Sequence, residues 1–89
     1  MTEPEQAHSD LRRRRLLFRA THRGTQENDL LLGGFVRDQL DTLTEADIAA
    51  LEALMDLPDP DLADWLTGRL PIPADGMPML SRIRASLAR

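Results

Sequence analysis

The run Arg23-Gly24-Thr25-Gln26-Glu27 places a guanidinium, a glycine and a carboxylate within a few residues of one another. Such a set can read a polar protein surface through charge-assisted hydrogen bonds. It also has a plainer reading as helix punctuation: an arginine at one helix end, a glycine free to turn, a glutamate opening the next helix. On either reading the corner is expected to be exposed. No other constellation has the residue types for chemistry. The absence of cysteine removes disulfides, thiolate metal sites and a thiol nucleophile together. His8 and His22 have no ligand at metal-like spacing, and no serine sits on a strand-to-helix elbow. Asp56, Asp59, Asp61 and Asp64 lack the central glycine and terminal glutamate of a calcium loop, and helix capping accounts for Asp59 and Asp61. The expectation is a protein with no catalytic residues, no metal site and no enzymatic reaction of its own.

Arg12, Arg13, Arg14 and Arg15 are the most conspicuous charges. On a helix they point about 100° apart, so they cannot all face one partner. One or two stems are expected along the core edge and the rest in solvent. The charge along the chain is divided. Leu11 to Arg37 holds seven arginines against two acids, and Asp38 to Leu66 holds nine acids and no base. Every basic residue is arginine, and the net charge is −4. A dipolar field of this kind orients a partner more than it adds affinity. It also opposes nucleic-acid binding, for which few stacking aromatics and no recognised motif are present.

The elements that must position these residues are helices. The 89 residues suffice for one domain with one core. The acidic start, with Glu3, Glu5 and Asp10, argues against a signal or transit peptide, and no apolar run reaches the roughly 20 residues that span a bilayer. Residues 1–10 read as a flexible acidic tail and 11–89 as a single helical domain, an all-α bundle of five short helices in a cytoplasmic protein. The first helix is expected from Ser9 or Asp10 to about His22, with Leu11, Leu17 and Phe18 inward. The second starts at Thr25 or Gln26 and turns Leu31, Leu32, Phe35 and Val36 inward, with Gly33 and Gly34 admitting a neighbouring helix. Thr44 caps the third, whose face is Ile48, Leu51, Leu54 and Met55. Asp59 as N-cap and Pro60 at the first helical position open the fourth, with Leu62, Trp65 and Leu66 inward and Gly68 ending it. Pro71 and Pro73 form an extended link to a last helix carrying Met77, Leu80, Ile83 and Leu87.

At this point the residues resemble a known family. Arg23-Gly24-Thr25-Gln26-Glu27 is similar to the RGxxE signature of the SdhE-type FAD assembly factors, and the likeness continues through Asp29 and the leucines after it. Asp59-Pro60-Asp61-Leu62, followed by Asp64-Trp65-Leu66, resembles the family's second recurring segment. Pro73 and the terminal amphipathic helix also fit. The resemblance covers roughly Leu11 to Leu87, and Asn28 and Ala63 stand where a larger apolar residue is expected. It implies a five-helix domain that binds the flavoprotein subunit of succinate dehydrogenase, and that of fumarate reductase as a further client. It implies that the domain promotes covalent attachment of FAD to a histidine of that subunit. The FAD then belongs to the client, and this chain holds no cofactor. Arg23, Gly24 and Glu27 become the principal partner-binding residues, with Asp29 and Arg19 on neighbouring turns. The competing reading is a small helical adaptor that uses its arginine-rich first helix to bind nucleic acid or an acidic regulatory protein.

Overall fold

Leu32, Phe35 and Val36 recur at helical spacing and bury one face of the helix that carries them, which becomes the centre of the molecule. The computed structural model describes residues 3–74 and 77–87, with side chains from Asp10 onward. Among these residues there are five α-helices and no strand: α1 (Glu3–Thr21), α2 (Gln26–Gln39), α3 (Glu45–Met55), α4 (Asp59–Thr67) and α5 (Pro78–Leu87). A 3-10 turn at Leu40–Thr42 leads from α2 towards α3. The central helix α2 packs against α1, α4 and α5, while α3 packs against α1 and α5. Leu16, Ala20, Leu43, Ile48, Leu51, Leu54, Leu62, Leu66, Leu80 and Ile83 complete one continuous core.

Local signals set most helix ends. Thr25 caps α2 by accepting a hydrogen bond from the Asn28 backbone N–H. Thr44 and Asp47 form a reciprocal capping box at the start of α3. Gly68 ends α4 in the left-handed conformation, at φ 84°. The inner faces expected for α3, α4 and α5 are observed in the main: Leu62 and Leu66 are buried, Trp65 packs half-buried against the core, and Leu87 is more exposed than expected.

Four expectations need correction. Helix α1 starts at Glu3, not at Ser9 or Asp10. Pro4 is tolerated in a first turn, so it does not oppose a start this early. The face of α1 is also rotated. Leu11 and Phe18 are exposed, and Leu16 and Ala20 are the buried contacts, with Leu17 partly buried. Phe18 stacks on His22 one turn later, with ring centroids 4.0 Å apart, instead of entering the core. Asp59 is the first residue of α4 and Pro58 the N-cap, without a side-chain capping bond; the Asp59 carboxylate is committed elsewhere. Finally, only one of the paired glycines admits a helix.

A Cβ at Gly33 would lie 2.7 Å from Thr21 Cγ2 and 3.3 Å from the Ala20 carbonyl oxygen, so α1 and α2 touch here. A Cβ at Gly34 would meet nothing within 4 Å. The two alanine substitutions should therefore have opposite signs. Gly33→Ala should destabilise the fold by about 1–3 kcal/mol through overpacking. Gly34→Ala should stabilise it by up to about 1 kcal/mol, the helix-propensity difference between the residues. Urea denaturation of both variants checks this.

Candidate functional site

The turn between α1 and α2 is built around Arg23, and its guanidinium points inward. The Arg23 side chain is only 10% exposed. Nη1 donates to the Met55 carbonyl at 2.8 Å and Nη2 to the Leu57 carbonyl at 2.9 Å, while Nε donates to Asp59 Oδ1. These are the last carbonyl of α3, a carbonyl of the turn that follows it, and the first acid of α4. Helix carbonyls at such an end have no partner within the helix, and the dipole there favours a cation. Arg23 thus ties one helix end to the next helix start. This corrects the expectation that its guanidinium stands at an exposed corner. Nothing in the run signals that the α3–α4 junction, more than thirty positions away, supplies its partners.

Asn28 reinforces the same junction from α2. It is fully buried, and its Nδ2 donates to the Asp59 carbonyl at 2.9 Å and to Asp59 Oδ1 at 3.1 Å. Burial pushes the Asp59 carboxyl up. The hydrogen bonds from Arg23 and Asn28, with the charge of Arg23, outweigh this and hold it below its ordinary value. The backbone of the turn is fixed as well. The Arg23 N–H donates to Asp29 Oδ1 at 2.7 Å, and Gly24 takes φ 94°, a conformation that suits a residue without Cβ.

What the corner offers to a partner is the remainder. Gly24 is exposed and a Cβ there would meet nothing within 4 Å. Glu27 is 47% exposed and pairs with Arg69 at 3.2 Å. Asp29 lines a cleft of about 530 Å³ with Thr21, Gly24, Leu30, Gly34 and Arg37. Arg19 lies on the surface, 3.1 Å from Asp56. The structure therefore brings Gly24 and Asp29 to one cleft, places Glu27 on a neighbouring recess beside Arg69, turns Arg23 inward beneath the corner, and leaves Arg19 on an exposed pair with α3's C-terminal cap. Residues not singled out in the sequence join them. Arg69 reaches both Glu27 and Asp64, and Leu30, 67% exposed, borders the cleft beside Gly34. A glycine in mid-helix draws attention to Gly34 in the sequence, and only the fold shows its empty flank; Arg69 carries no such signal.

The arginine run divides as its helical geometry requires. Arg12 pairs with Glu45 and Glu52 at 2.8 and 2.7 Å. Arg13 donates to the carbonyls of Leu40 and Leu43. Arg14 and Arg15 are exposed. Among the described residues, no group of three or more His, Asp or Glu side chains could hold a metal ion, and no helix is long and apolar enough to cross a membrane.

Two measurements test the clamp. Arg23→Ala should cost about 3 kcal/mol, the low end for breaking a buried pair, because Asp59 keeps 26% exposure. A urea midpoint close to the parent's would show that the pair is dispensable. Acidification tests the paired acids together. The Arg12 hydrogen bond lowers the Glu52 carboxyl, the Thr44 backbone N–H lowers that of Asp47, and Asp59 is lowered as described. Their stabilisation is complete above the unfolded values of about 4 and is lost as pH falls through the lower folded values. The melting temperature should hold from neutrality to about pH 5 and drop below about pH 4. Arg23→Ala should remove the Asp59 share of that drop.

Comparison with known proteins identifies a family. A family model described as the flavinator of succinate dehydrogenase matches residues 14–87. The FAD assembly factor SdhE of Acetobacter pasteurianus is 53% identical over 73 residues, covering 81% of this chain and 67% of that protein. The mitochondrial succinate dehydrogenase assembly factor 2 of Mycosarcoma maydis is 43% identical over 60 residues, 67% of this chain and 25% of that protein. Its counterpart in Dictyostelium discoideum is 36% identical over 63 residues, 71% of this chain and 45% of that protein. The chain thus spans about two thirds of the bacterial relative and less than half of these two mitochondrial ones. No solved structure matches it. The chain belongs to the family of succinate dehydrogenase flavinators, the SdhE-type FAD assembly factors.

Proposed function

We propose that this chain binds the flavoprotein subunit of succinate dehydrogenase through the corner formed by Gly24, Glu27 and Asp29, and promotes covalent attachment of FAD to a histidine of that subunit. The observation that carries the reading is the division of labour within one short run. Arg23 is spent on the fold, while Gly24 and Glu27, whose side-chain positions meet little of the protein, stand on the surface. Charged and glycine positions on an outer corner without a packing role suit recognition of another protein. The reacting groups, the flavin and the histidine, belong to the client. This chain's part is to hold a client conformation in which they are aligned, and orientation alone lowers a barrier by several kcal/mol. In this reading the protein is an assembly factor and not an enzyme, Arg23 is a positioning residue, and the flavoprotein of fumarate reductase is a second client of the same chemistry. The alternative, an arginine helix bound to nucleic acid, is disfavoured because Arg12 and Arg13 are engaged within the chain.

Folding and function should separate at this corner. Glu27 makes one surface ion pair, so Glu27→Ala should cost no more than about 1 kcal/mol. It should keep native circular dichroism and yet lose most of its support for flavinylation. The readout is in-gel flavin fluorescence of the client subunit in cells lacking the native factor and complemented with each variant. Normal fluorescence with Glu27→Ala would remove Glu27 from the site. Gly24→Ala should cost about 1–2 kcal/mol in backbone strain at its positive φ. A loss of flavinylation greater than that of an equally destabilised core variant would report contact with the client. For the alternative, submicromolar and steeply salt-dependent binding of a generic duplex would be required.

A further inference from the structure

Beside the corner lies a second recess, of about 310 Å³, between the first turn of α2 and α4. Its lining includes Glu27, Asn28, Asp59, Ala63, Asp64 and Arg69. It is at the small end of the range for ligand sites, with room for one side chain. Three features give it a chemical preference. First, Asn28 is wholly buried, and no donor among the described residues reaches its Oδ1. Its Nδ2 is committed to Asp59, which fixes the amide's orientation and leaves an acceptor to be satisfied. A buried acceptor without a donor is costly, and a partner that supplies one recovers that cost. Second, Glu27 and Asp64 share a single counter-ion, Arg69, which is more than half exposed and held by surface pairs of 3.2 and 2.9 Å. Exposed pairs of this kind are weak and exchange readily. Third, α4 belongs to the stretch from Asp38 to Leu66 that has nine acids and no base. The positive ends of α2 and α4 do not reverse this preference, since Glu27, Asp29, Asp59 and Asp61 already occupy their first turns.

We propose that this recess receives a basic side chain, arginine or lysine, of the flavoprotein subunit; the inference rests on the function proposed above. The incoming N–H groups meet Asn28 Oδ1 at depth and the carboxylates of Glu27 and Asp64 at the mouth, where Arg69 now sits as an internal competitor. The side chain's stem lies against Pro60 and Ala63. Asn28 and Ala63 both line this recess.

The test is calorimetric titration of the purified flavoprotein subunit into the full chain and two variants. Arg69→Ala removes the competing guanidinium and should tighten binding by about threefold or more at low salt, with the gain shrinking as salt is added. Ala63→Leu fills the recess and should weaken binding by about tenfold or more. Circular dichroism confirms folding of each, and if Ala63→Leu does not fold, Arg69→Ala decides alone. Unchanged or weaker binding by Arg69→Ala overturns the proposal, because the partner group would then be neutral or anionic. Unchanged binding by a folded Ala63→Leu overturns it as well. In both cases parent binding leaves the proposed function standing, whereas a parent chain that does not bind the flavoprotein overturns both.

Discussion

The ion pair between Arg23 and Asp59 is the constraint on which the corner depends. Its two residues are far apart in the chain, Arg23 in the turn after α1 and Asp59 at the start of α4, yet they close one junction where α1 ends, α2 begins, α3 ends and α4 begins. Helix ends are where backbone groups lack partners. Arg23 satisfies two such carbonyls at once, those of Met55 and Leu57, and its charge suits the negative end of α3. Asn28 Nδ2 donates to the same carboxylate and to the Asp59 backbone carbonyl from a third direction. Removing either partner would leave a largely buried charge without its counter-ion, which costs more than the pair contributes when intact.

This arrangement accounts for how a small domain can present a defined recognition surface on a turn. Loops ordinarily carry function because they vary and move over a fixed scaffold. Here the turn is part of the scaffold. The Arg23 side chain anchors it from below, and the Arg23 N–H bound to Asp29 fixes its path. The left-handed Gly24 lets the chain reverse without a side chain in the way. Glu27 is then delivered to the surface in the first turn of a capped helix, where its backbone has little freedom left.

The divided charge of the sequence has a related consequence. Arginines of the first half meet acids of the second across the interface between α1 and α3: Arg12 with Glu45 and Glu52, Arg19 with Asp56. Arg82 of α5 pairs with Asp47, and Arg69 with Asp64 and Glu27. Much of the apparent dipole is therefore turned inward and used to register helices. Pairs this exposed contribute little individually. Their common orientation nonetheless disfavours alternative packings that would place acid against acid.

The sequence by itself determined the helical class, most of the helix faces and most of the ends, because capping and 3.6-residue periodicity are local. Thr25, Thr44 and Gly68 do what their types dictate wherever they stand. The family likeness was also legible, since it rests on order and spacing. The face of α1 was not: Leu11, Leu16, Leu17 and Phe18 are all apolar, and only the packing of α2 and α3 selects Leu16 and Ala20 over Leu11 and Phe18. Gly33 and Gly34 are adjacent and identical in type, and only the path of α1 gives the first a contact and leaves the second bare. The candidate site divides in the same way. Glu27 and Gly24 could be identified from the run itself. The inward turn of Arg23, the burial of Asn28 and the reach of Arg69 were decided by tertiary structure. Long side chains choose partners by distance in space, and the ends of α3 and α4 come within that distance only once the chain has folded.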